Sequence, residues 1–196
     1  MAGLVLPTTP RPSAMTPYPI SARGEMRPAS RGPVTRVLRP GTRWAWDCQM
    51  PPMTYADSLA WDDLLSEHET VVMEILQPGL DTGEPGSPQI NGSGQAGMSL
   101  SLKGLTVGYL IRKGQWLSFQ VSGQWYAYKA RSAVTVDGSG NVTVPLRTML
   151  RRSPANSAVV AIQQPKAEGY ATVDQSSLEI AADRLVRLKF LLEERD

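Results

Sequence analysis

The chain has 196 residues, with 20 Lys+Arg against 18 Asp+Glu, one His and one Cys; that is enough for a single domain burying about 70% of its unfolded surface. One Cys excludes a disulfide framework and thiolate metal clusters, and one His excludes His-pair zinc sites and most imidazole chemistry beyond His68. The net charge of +2 conceals three blocks: seven Arg and one acid (Glu25) in residues 1–43, nine acids and no Lys or Arg in 44–102, and 13 basic against eight acidic groups in 103–196.

A nucleic-acid binder concentrates positive charge without so large an acidic counter-block. Complementary blocks on one chain suit head-to-tail self-association, unless the fold interleaves them and leaves no patch. No run reaches the roughly 18 apolar residues of a membrane helix, and the opening MAGLVLPTTPRPSAM is too broken by proline for a signal h-region. The composition therefore predicts a soluble protein without a catalytic metal.

Ten of the 16 prolines fall in the first 52 residues. Residues 1–19, with Pro7, Pro10, Pro12, Pro17 and Pro19, cannot form a helix or a central strand, because proline fixes φ and donates no hydrogen bond. They read as a disordered tail or as an extended arm laid along another surface. Residues 20–196 read as one mostly β domain. Val34–Leu38 and Arg43–Cys48 alternate as strands, the second with Trp44 and Trp46 on one face. Thr54 and Asp57 are spaced like a capping box, and a helix is expected over 55–67 with Ala60, Trp61, Leu64, Leu65 and His68 on one stripe.

Thr70–Gln77 reads as a strand, and the glycine- and proline-rich stretch 78–97 as a loop. Met98, Leu100 and Leu102 alternate with polar neighbours, and Val107–Ile111 continues extended. Leu117, Phe119 and Val121, a Ser122-Gly123 turn, and Trp125–Ala130 make the strongest hairpin signal. Ser132–Val136, the turn 137–140 and Val142–Leu146 suggest a second hairpin. Ala158–Ile162 is continuously apolar, as a doubly covered strand would be. The carboxyl terminus carries both a helical stripe and the alternation of Leu188, Phe190 and Leu192; a strand over 184–193 is favoured. The expected fold is mainly β: an antiparallel β-sandwich or barrel-like domain with one short α-helix and an extended Pro-rich amino-terminal arm.

Catalytic patterns are weak. His68 lies between Glu67 and Glu69, but successive helix positions do not share a face. Cys48 alternates with Trp44 and Trp46, as a buried apolar residue does. Asp62 and Asp63 diverge on a helix, whereas glycoside chemistry needs carboxylates facing across a cleft. The segment Asp137-Gly-Ser-Gly-Asn141 lacks the terminal acid of a calcium loop, and Gly92–Gly97 lacks the following Lys and helix of a phosphate loop. No catalytic, cofactor or metal residues are assigned. The candidate contact surface is aromatic: Trp116, Trp125, Tyr126 and Tyr128 concentrate on one hairpin, with Trp116 out of phase with Leu117 and Phe119. Such a surface serves protein contact or the stacking of sugar rings.

The stretch RWAWDCQMPPMTYADSLAWDDLL, then PQINGSGQAGMSLSLKGL, LIRKGQWLSF…GQWYAYKA and VTVDGSGNVTVPL, over about residues 35–163, resembles minor tail proteins of long-tailed bacteriophages, in particular distal tail proteins. The resemblance implies a structural virion protein at the tail tip, in a baseplate ring joining the tail tube to the tip complex. It implies a cyclic homo-oligomer, six-fold by expectation, with tail tube and tail hub proteins as partners. No enzyme activity, sequence-specific nucleic-acid contact, membrane partner or cofactor is expected. The alternative from the residues is a carbohydrate-binding β-module using exposed Trp and Tyr.

Overall fold

A computed structural model describes residues 3–22, 24–26, 32–37, 41–67, 70–173, 179–180 and 185–195. Among the described residues the protein is mainly β, with one helix and several antiparallel sheets. Its largest sheet has six strands in the spatial order Leu4–Val5, Val71–Glu74, Lys166–Val173, Lys189–Glu194, Arg43–Gln49 and Ala14–Ile20. Every pairing is antiparallel except the first, where Leu4 and Val5 lie parallel to Val71 and Val72.

Proline explains where the amino-terminal segments sit. Ala14–Ile20 contains Pro17 and Pro19 and pairs on one side only, with Arg43–Gln49, so the missing N–H groups fall where no further strand needs them. Leu4–Val5 occupies the opposite edge. One arm thus borders both sides of its own sheet, with Leu6 reaching the core.

The helix Tyr55–Glu67 covers the sheet through Trp61 and Leu65, and the Trp61 ring lies 6.0 Å from Phe190. Thr54 Oγ1 accepts from the Asp57 N–H at 3.2 Å and donates to Asp57 Oδ2 at 2.7 Å. The cap therefore forms at the expected residues. Ala60, expected on the inner stripe, is exposed, and Ser58 is buried instead, because Ser58, Trp61 and Leu65 share the face turned to the sheet. His68 and Glu69 lie outside the described residues.

A second core gathers on strands between Gly86 and Ala161. Ser99–Leu105 pairs with Gly86–Ile90 and Val142–Pro145, while Trp116–Val121 pairs with Gln124–Lys129 and Val160–Ala161. Isolated bridges Gln89–Val159 and Ala130–Leu146 join these sheets at their margins, and no closed barrel results. Ile90, Leu100, Leu102, Phe119, Tyr128 and Leu146 are fully buried there; each side chain of this kind contributes about 1.5–3 kcal/mol on burial.

Two expectations change. Gly86–Ile90, inside the stretch read as a loop, is a strand. Its register slips between Gly86 and Gln89, so Pro88 sits in an irregularity that requires no donor. Gly104 opposite has φ +75°, and a Cβ there would lie 2.6 Å from the Ser87 carbonyl oxygen, so only glycine fits the bulge. The second hairpin also does not form: Val134–Thr135 pairs with Leu110–Ile111, and Val142–Pro145 with Ser99–Leu102. Asp137 Oδ1 accepts from the Ser139 and Asn141 N–H groups at 2.8 and 2.9 Å. The turn forms as a self-bonded Asx unit, but its flanking strands leave for different partners.

Lys166–Val173 goes unrecognised in the sequence because Glu168 and Gly169 interrupt its alternation. Both are central to the fold: a Cβ on Gly169 would collide with the Glu193 carbonyl of the neighbouring strand. The carboxyl terminus is a strand, Lys189–Glu194, between Lys166–Val173 and Arg43–Gln49, with Phe190 and Leu192 turned to the core.

Candidate functional site

The hairpin 116–129 holds the four aromatic residues proposed as a contact surface. Ser122 and Gly123 both adopt positive φ, 52° and 82°, which matches the twist of a two-residue hairpin turn. Register then divides the side chains. Leu117, Phe119, Tyr126 and Tyr128 enter the second core, where the Phe119 and Tyr128 rings stack at 5.3 Å. Trp116 faces the other way, as its phase predicts, but meets the six-stranded sheet rather than solvent: it lies 4.7 Å from Trp44 and 5.7 Å from Trp46.

Trp116 is 4% exposed and Tyr128 fully buried, and Tyr126 is buried with them. These three are core residues, because the hairpin has a hydrophobic layer on each side. Trp125 alone is half-buried. It borders a groove with Pro88, Val159 and Lys166, whose Nζ lies 5.2 Å from the indole centroid. A single Trp beside a lysine does not make the aromatic platform expected for a sugar.

Two glutamates fasten this hairpin to the large sheet. Glu194 accepts from the Trp44 N–H at 2.8 Å and the Ala127 N–H at 2.9 Å, and its Oε2 lies 2.8 Å from Arg151 Nη2, an ion pair without hydrogen-bond alignment. Glu168 accepts from Trp125 N–H at 3.0 Å and Gly3 N–H at 3.3 Å, and forms an ion pair with Arg195 at 3.5 Å. Arg151 Nη1 donates to the Arg195 carbonyl at 3.0 Å, and its guanidinium lies over the Tyr126 ring at 4.9 Å.

Both carboxylates are almost completely enclosed. Burial drives the Glu194 carboxyl above its ordinary range, against the pull of Arg151 and the two N–H donors toward the charged form. The spatial arrangement is that of a structural clamp: each oxygen is committed to backbone or guanidinium, leaving none aimed at an open cavity. The sequence does not signal the pair: Glu168 follows Lys166 and Ala167 without a motif, and Glu194 lies in the charged run Glu193-Glu194-Arg195, where a solvated side chain is the ordinary reading.

The remaining candidates disperse. Cys48 is buried against Met73, and burial, then the Asp47 carboxylate, push its thiol up to about 12. Asp62 and Asp63 lie on the helix; Asp62 Oδ1 accepts from the Ser66 hydroxyl at 3.2 Å. In the glycine-rich segment Gln95 organises the loop, its amide donating to the carbonyls of Asn91, Gly92 and Ser101. Among the described residues no three His, Cys, Asp or Glu side chains gather as a metal-binding group.

What the surface does offer is apolar edge and ridge. Leu4, Val5 and Tyr18 are exposed on the two edge strands, and Tyr55 and Leu59 are exposed one turn apart on the helix, beside the acidic Asp62 and Asp63. Comparison of the chain with protein-family models finds no match, and neither does comparison with curated proteins.

Proposed function

We propose that this chain is a structural protein of a bacteriophage tail tip, a distal-tail-type subunit that assembles with its own copies into a ring between tail tube and tip complex. The observation that carries the proposal is the amino-terminal arm. It lines both edges of the six-stranded sheet and leaves Leu4, Val5 and Tyr18 exposed there, where a neighbour can add contacts. The residue pattern over 35–163, the acidic block 44–102 against the basic 103–196, and the apolar ridge of Tyr55 and Leu59 support the same reading.

Six-fold closure is the expectation. Light scattering and native mass measurement on the full chain across a concentration series test it: a discrete cyclic oligomer is expected, together with the chain's presence in purified tails. A monomer at every concentration that never joins particles would overturn the proposal.

A further inference from the structure

One cleft on the molecule is lined by cations with no acid among them. Residues 129–131 run antiparallel to 145–147: the Arg147 N–H donates to the Lys129 carbonyl at 2.9 Å, the Arg131 N–H to the Pro145 carbonyl at 2.8 Å, and Ala130 and Leu146 pair between them. The Gly114 N–H donates to the Ala130 carbonyl at 2.9 Å, which brings Lys113 alongside. Ala130 and Leu146 enter the second core, so Lys129, Arg131 and Arg147, one residue away, turn to the opposite side. Lys113, Arg131 and Arg147 border a cleft of about 680 Å³ whose walls include Trp44, Met98 and Thr148.

Two features separate this cleft from an ordinary basic surface. Lys129 and Arg147 stand directly opposite each other, an arrangement of like charges that costs stability. Among the described residues no carboxylate forms an ion pair with Lys113, Lys129, Arg131 or Arg147.

Lys129 is half-buried with its Nζ 5.0 Å from the Trp116 centroid. Burial, then Arg147, hold its pKa below the ordinary lysine value, so an incoming anion relieves a repulsion already present.

We infer that this cleft binds a phosphorylated small molecule, its oxyanion held by Lys113, Arg131 and Arg147 and its ring or hydrocarbon part lying against Trp44 and Met98. Guanidinium forks match phosphate oxygens two at a time, and the wall beside them is apolar. The inference is independent of ring assembly.

The test is titration of the full chain with inorganic pyrophosphate and with ATP, followed by calorimetry and tryptophan fluorescence, with sulfate as an ionic-strength control. Saturable binding of both is expected, ATP the tighter, with a fluorescence change from Trp44. Arg147→Glu is expected to weaken both about tenfold or more while leaving the melting temperature unchanged or raised, because it replaces a like-charge pair with an opposite one. Lys103→Ala, outside the cleft, is expected to change neither. Absence of saturable binding, a sulfate response equal to that of pyrophosphate, or undiminished binding in Arg147→Glu would overturn the inference. So would binding of a single-stranded oligonucleotide with no response to ATP or pyrophosphate. Equal affinity for ATP and pyrophosphate would overturn the apolar half of the assignment.

Discussion

The two cores of this protein are assembled in opposite ways. Strands between Gly86 and Ala161 find partners within a few tens of residues, and their hydrophobic alternation is regular. The six-stranded sheet joins Leu4–Val5 to Val71–Glu74, Val71–Glu74 to Lys166–Val173 and Lys189–Glu194 to Arg43–Gln49, so three of its five pairings bring together distant parts of the chain. Local pairing costs less loop-closure entropy. The distant sheet compensates with bulk and with charge: Trp44, Trp46, Trp61 and Phe190 in its core, and the Glu194–Arg151 and Glu168–Arg195 pairs at the seam with the hairpin.

If the seam couples the two cores, removing it should weaken both. Glu194→Ala leaves Arg151 buried without its counter-charge and two backbone N–H groups unsatisfied, and should cost about 3–5 kcal/mol. In calorimetry the expected outcome is one transition at lower temperature; two separated transitions would show the cores to be independent. Trp116→Ala, which empties the space between Trp44 and Trp46 on the sheet side of the hairpin, should cost about 3–4 kcal/mol by chemical denaturation.

Gly104→Ala sharpens the comparison from the local side. Its Cβ meets the Ser87 carbonyl at positive φ, and a loss of about 1–3 kcal/mol is expected; amide exchange should report it first at Gly86–Ile90. Thr54→Ala removes the helix cap and should cost about 1 kcal/mol, read as a small fall in denaturation midpoint.

The smallest effect at neutral pH concerns Cys48. Its thiol is raised in the fold from 9.0 to about 12, so the native state keeps the proton more tightly than the unfolded chain. That contribution is present below about pH 9 and lost as pH climbs toward 12. Alkylation at pH 8 should therefore be slow in the native protein and complete after denaturation. Rapid native labelling would show that the sheet around Cys48 opens by itself.

The sequence was most legible where one rule governed each residue. The helix bounds, its Thr54 cap, the Ser122-Gly123 turn and the alternation of Leu100 and Leu102 follow from local chemistry. It was least legible where tertiary contacts override local preference. Gly86–Ile90 has poor strand residues and is held by its neighbours on both sides. Val142–Pro145 has a good turn beside it and pairs elsewhere. The phase of Trp116 against Leu117 and Phe119 makes the aromatic hairpin two-faced, yet phase alone does not tell whether the second face meets water or another layer. Glu168 and Glu194 gave no signal, since the same letters on a surface strand would read as solvated charge. The cationic cleft is equally hidden, because Lys113, Arg131 and Arg147 are separated in sequence and converge through the Ala130–Leu146 bridge and the Gly114 hydrogen bond to Ala130.

The placement of Lys189–Glu194 between Lys166–Val173 and Arg43–Gln49 has a consequence for biosynthesis. Arg43–Gln49 must wait for Lys189–Glu194 before its sheet can close, whereas every strand of the other core has been made by residue 161. The nascent chain thus carries all strands of the second core and an open six-stranded sheet until Lys189–Glu194 has been made. A ribosome stalled before residue 189 would hold Trp44 and Trp46 without their central partner strand.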